Sequence, residues 1–129
     1  MKSHAAVAAV LLQREAVGAA DREIPDGWGE TLVESVLRDL EGSPLPEKEK
    51  VLLRFVDRVN HASPQITAAD MQPLYQAGWT DEAIYYAITV CALFNFYNRW
   101  IDASGVHALS AEAHRQGGVR SANAGYVRK

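Results

Sequence analysis

Val90-Cys91-Ala92-Leu93-Phe94-Asn95-Phe96-Tyr97-Asn98-Arg99-Trp100-Ile101-Asp102 threads amides and an ion-pairing set through an otherwise apolar run. Asn95, Asn98, Arg99 and Asp102 stand at i, i+3, i+4 and i+7, the spacing of one helical stripe, beside Phe94, Tyr97 and Ile101. A buried amide or guanidinium must find hydrogen-bond partners, so the stripe predicts a fixed network rather than space filling. Two roles fit it. It locks this helix to its neighbours or to another subunit, or it forms the polar wall of a ligand pocket. The structural role is preferred, because buried polar groups require satisfaction whether or not anything binds nearby. On that reading Asn98→Ala strands buried partners.

Working outward, Thr80 caps the same helix, Asp81 and Glu82 suit the positive end of its dipole, and its apolar content runs on to Ile101. A helix apolar nearly all round is expected to be the central, buried one, with Tyr85, Tyr86 and Trp100 as core and interface aromatics. Before it, Thr67 with Asp70 forms a capping pair for a short helix carrying Met71, Leu74 and Tyr75 and closed at Gly78. Pro46 to His61 repeats Val51, Leu52, Phe55, Val56 and Val59 on one face, while Lys48, Lys50, Arg54, Asp57 and Arg58 face water.

Further upstream, Ser43-Pro44-Leu45-Pro46 is a rigid joint. Glu30 to Leu40 sets Leu32, Val33, Val36, Leu37 and Leu40 toward the core, and Asp21 to Gly29 is a turn-rich connector. A first helix near Ser3 to Val17 carries Val7, Val10, Leu11 and Leu12 on one side and presents Ala5, Ala6, Ala8 and Ala9 as a surface that can pack closely. After Gly105, Ser110 caps a short sixth helix into which Gly117-Gly118 intrudes, leaving a weakly structured tail. No run alternates long enough to argue for a sheet, so the fold class is all-α, with about six helices in one domain spanning 1–129.

Composition narrows the function. A net charge of −3 without clustered basic residues gives no electrostatic footprint for nucleic acid. The longest apolar runs, Ala5 to Leu12 and Ala87 to Phe94, fall far short of the roughly 20 residues of a membrane span. The start lacks a convincing signal-cleavage site, and one cysteine excludes an internal disulfide framework. The expectation is a cytoplasmic protein that binds neither nucleic acid nor membrane and needs no cofactor. The apolar excess of the fifth helix and the small-residue surface of the first predict a homo-oligomer.

From Leu45 to Val106 the chain resembles the peroxidase-related branch of the carboxymuconolactone decarboxylase and alkylhydroperoxidase D-like superfamily. The landmarks are Leu45-Pro46-Glu47-Lys48-Glu49-Lys50-Val51-Leu52-Leu53-Arg54-Phe55, Ile66-Thr67-Ala68-Ala69-Asp70, Ala77-Gly78-Trp79-Thr80-Asp81-Glu82-Ala83-Ile84 and Phe94-Asn95-Phe96-Tyr97-Asn98-Arg99, roughly half of the chain. The resemblance implies an alkylhydroperoxidase D-like helical bundle, homo-oligomeric assembly and antioxidant hydroperoxide reduction by a Cys-x-x-Cys pair followed three residues later by a histidine. A glutamate lies further upstream in that pattern.

The chain departs from the pattern at that pair. His4 stands in the place of the family histidine, a proton-relay position, and Met1 immediately follows the position of the missing cysteine. A thiolate must attack the peroxide and a second thiol must resolve the sulfenic acid, so His4 has no nucleophile to activate. Two explanations compete: a redox-inactive relative, or a longer natural form that carries the cysteines and acts as a hydroperoxide reductase. A third reading, from another class, is a non-catalytic small-molecule binding or structural oligomer. Cys91, mid-helix between Val90 and Ala92, is read as a small apolar filler rather than a lone peroxidatic thiol. His107, Glu112 and His114 do not define a coordination geometry, so no metal site is expected. His61 suits the dipole at the end of its helix.

Overall fold

The computed structural model describes residues 8–14 and 23–125. Among them all regular structure is helical: α1 (residues 8–14), α2 (Trp28–Arg38), α3 (Glu47–Ala62) with a 3₁₀ turn at Ser63–Gln65, α4 (Ala68–Gln76), α5 (Asp81–Ser104) and α6 (Ala111–Ala124). The contacts divide the chain into two compact units, Leu45–Val106, and Met1–Pro44 with His107–Lys129.

In the Leu45–Val106 unit, α3 packs along both α4 and α5. Phe55, Leu74 and Ile84, one from each helix, form the buried centre, with Val51, Leu52, Val59, Ile66, Met71, Trp79 and Ile88 against it. The turns are fixed by local chemistry. Thr67 and Asp70 make a reciprocal capping box at the start of α4, and Arg58 reaches from α3 to Asp70 at 3.1 Å. Hydrogen bonds from Thr67 hold the Asp70 carboxyl below the usual aspartate range, with Arg58 adding to the effect. Thr80 accepts from Ala83 N at 3.2 Å and starts α5, while Tyr75 donates its hydroxyl to Asp81 at 2.7 Å, which raises the Tyr75 phenol above its ordinary value. Between α4 and α5, Trp79 donates its indole N–H to the Lys48 carbonyl at 2.9 Å, and the Lys48 ammonium lies 4.7 Å from the ring centre.

The expected burial of α5 is corrected here. Ile84 is fully buried, but Tyr86 is 67% exposed, Trp100 61% and Phe96 60%. The reason is geometric: an all-apolar helix needs neighbours on every side, and within this unit α3 covers one face. Within this unit Tyr85, Tyr86 and Trp100 are therefore exposed aromatics, not core.

In the other unit the start of α2 depends on α1. Gly27, at φ 77°, precedes Trp28 and has no side chain with which to cap. Gln13 of α1 supplies the cap instead: its Oε1 accepts from Gly29 N and its Nε2 donates to the Pro25 carbonyl, both at 2.9 Å. Helix α2 consequently runs from Trp28 to Arg38, beginning and ending two residues before the expected Glu30 to Leu40. Ala9, Gly29 and Leu32 are buried, whereas Leu37, expected on a core face, and Leu11, on the apolar side of α1, are exposed. Close approach at Ala9 turns Leu11, about 200° further round, away from α2.

Helix α6 starts where Ser110 accepts from Ala113 N at 3.2 Å. It then continues unbroken through Gly117-Gly118 to Ala124, so the expected interruption is also corrected. Gly118 is buried, the mark of a close-packed spot rather than a helix end. Arg14 donates to Ala122 O at 3.2 Å and to the Asn123 side chain, tying α1 to the C-terminal turn of α6. Near the start of α6, hydrogen bonds from Arg115 and then Gln116 hold the Glu112 carboxyl below its usual range.

Candidate functional site

Of the four-residue stripe on α5, two members join a network and two do not. Asn95 is half-buried and acts as the hub. Its Nδ2 donates to Asn60 Oδ1 on α3 at 2.6 Å and to Cys91 O at 3.1 Å, while Arg99 Nη1 donates to Asn95 Oδ1 at 2.6 Å and to the Asn95 carbonyl at 3.1 Å. Donors and acceptors run in one consistent direction, from guanidinium to amide to amide. Asn60 continues the chain toward the His61 ring, 3.3 Å from Nε2, and His61 Nδ1 lies 3.0 Å from Asp57 O and 3.1 Å from the Asp57 carboxylate.

Asn98 and Asp102 are exposed, and among the described residues their side chains make no hydrogen bond or ion pair. Within the chain the four residues therefore do not close into one buried network. Arg99 turns back to the carbonyl one helical turn earlier instead of pairing with Asp102, and it too is exposed. The physical cause is again the single covering helix. Val56 lies against Cys91 and Asn60 against Asn95, so α3, which ends at Ala62, stops short of Asn98 and Asp102. Asn60 went unrecognised because a partner 35 positions away cannot be read from periodicity. An asparagine followed by histidine at the end of an otherwise apolar and charged helix is the local signal of it.

Asn95→Ala leaves Asn60 and Arg99 without their shared partner and is expected to cost about 1–2 kcal/mol, while Asn98→Ala stays within about 0.5 kcal/mol. Urea midpoints of the two variants check it; equal shifts would mean that Asn95 is as solvated as Asn98.

Cys91 lies under this network. It is half-buried, with Sγ 3.8 Å from the Val56 carbonyl and 3.6 Å from Asn95 Nδ2. Its surroundings are a carbonyl and an amide at the α3–α5 contact, and no other cysteine exists in the chain to meet it. His4 lies outside the described residues, so its proposed relay position has no geometry. His107 is exposed, His114 half-buried, and among the described residues no three His, Cys, Asp or Glu side chains converge as a metal would require. No described helix is long and apolar enough to cross a membrane.

A cleft of about 310 Å³ opens between α3 and α4, lined by Val51, Arg54, Phe55, Arg58, Asp70 and Leu74 among others. Its guanidiniums already have carboxylate partners: Arg54 meets Glu47 at 2.7 Å and Arg58 meets Asp70. None of the α5 stripe residues lines it. The polar network and this cleft are thus separate features of the same unit.

Comparison with family profiles, curated proteins and solved structures returns no match for the chain. The family resemblance rests on the order of its motifs, and those motifs fall within the compact Leu45–Val106 unit.

Proposed function

We propose that this chain is a cytoplasmic, homo-oligomeric protein of the peroxidase-related, alkylhydroperoxidase D-like type that does not carry out dithiol peroxidase chemistry with the residues it has. The observation that carries the reading is the setting of Cys91. The chain's sole thiol is half-buried at a helix contact, engaged by the Val56 carbonyl and the Asn95 amide, with no second thiol to resolve an oxidised sulfur. The Asn60, Asn95 and Arg99 chain supports a holding role, joining α3 to the middle of α5.

The test is reduction of an organic hydroperoxide by the 129-residue protein with a dithiol as the reductant. The expected result is no turnover above buffer, both for the wild type and for Cys91→Ala. Activity abolished by Cys91→Ala would make that thiol the nucleophile and overturn the structural role. Activity that survives the substitution would remove cysteine from the chemistry altogether.

A further inference from the structure

The uncovered side of α5 has a regularity of its own. Tyr86, Val90, Leu93, Tyr97 and Trp100 are spaced by four, three, four and three residues, which is the seam spacing of a coiled coil. All five are exposed, from 47% to 67%. Ile84, Ile88, Cys91 and Asn95, on the side toward α3, stand about 180° away on the helix. Helix α5 therefore has two opposed faces, one used within the unit and one unpartnered.

We propose that this seam is where a second copy of the chain docks, α5 against α5, by knobs-into-holes packing. The inference deepens the oligomeric part of the proposed function and rests on it.

Two arguments select a second copy as the occupant. The first is electrostatic. No charged residue lies on the seam between Tyr86 and Trp100, and its flanking positions Ala87, Thr89, Phe94, Phe96 and Ile101 are uncharged as well, with Glu82 one turn before its start. Nothing there repels an identical surface, and nothing selects a partner of opposite charge. The second is area. At about 150–250 Å² for each aromatic side chain, the seam aromatics and Phe96 alone leave on the order of 450 Å² open, and with Val90, Leu93 and the flanking Tyr85 and Ile101 the patch approaches 800 Å². That exceeds the largest apolar patch of a typical monomer and matches what each partner contributes to a stable interface, about 800 Å².

The experiment is light scattering of the full chain at about 10 μM. The wild type is expected at a multiple of the 14.2 kDa chain mass. Leu93→Glu, placing a charge mid-seam on a side chain exposed in the single chain, is expected to give one chain mass with its far-ultraviolet circular dichroism retained. Leu93→Ala combined with Trp100→Ala, which keeps helix propensity, should weaken association at least tenfold and decides the matter if Leu93→Glu loses helicity. Leu37→Glu, also at an exposed position but on α2, should leave the mass unchanged. A wild type of one chain mass overturns both the seam and the oligomer. Assembly that persists in both seam variants overturns the seam alone.

Discussion

Ile84→Ala is expected to lower the stability of the Leu45–Val106 unit by about 2–5 kcal/mol. Ile84 is fully buried where α5 meets α3, in contact with the cluster of Phe55 and Leu74. Truncation removes the transfer free energy of three carbons and leaves a cavity that three packed helices cannot easily collapse to fill. Alanine is the better helix former, so propensity works against the loss and cannot explain it. The Thr80 cap lies one turn earlier and is untouched. Measured as a urea midpoint at constant protein concentration, since oligomerisation would otherwise shift the reference, Ile84→Ala should fall far below Gln72→Ala, an exposed position on α4. A difference under about 1 kcal/mol would mean that Ile84 is not at the centre of the packing.

The cluster around Ile84 also separates what could be read from the chain and what could not. Caps were legible because each is decided within four residues: Thr67 with Asp70, Thr80 with Ala83 and Ser110 with Ala113 all form as their spacing implies. The register of α3 was legible too, since Phe55 is buried amid Val51, Leu52 and Val59 while Arg54, Asp57 and Arg58 are exposed. For α5, periodicity showed only that it was apolar all round, and such a pattern fits burial in the chain as well as burial by another copy. Which face meets α3 is set by long-range contacts, as at Asn60 with Asn95, so the split of the polar stripe was hidden. Glycine was equally ambiguous. Gly117 and Gly118 read as a break, yet a good cap and helix-forming neighbours carry α6 through them.

That ambiguity gives a pair of substitutions of opposite sign. Gly29 and Gly117 are both helical, and by propensity alone alanine at either should stabilise by up to about 1 kcal/mol. At Gly117 a new Cβ would find only the far end of Arg120, 4.0 Å away, so the gain should be realised. At Gly29 the same Cβ would run into the backbone carbonyl of Ala9 and crowd the Gln13 side chain. A carbonyl in the adjacent helix cannot swing aside as a lysine or arginine tip can, so α1 must move away from α2. That movement would also strain the Gln13 bonds to Gly29 and Pro25, the cap that starts α2. Gly29→Ala is therefore expected to destabilise by about 1–3 kcal/mol, and Gly29→Val by more, because its branches enlarge the collision. Thermal and urea midpoints of the two alanine variants should move in opposite directions. If Gly29→Ala stabilises as Gly117→Ala does, α1 does not lie against α2 at Ala9, and the cap from Gln13 must be given up with it.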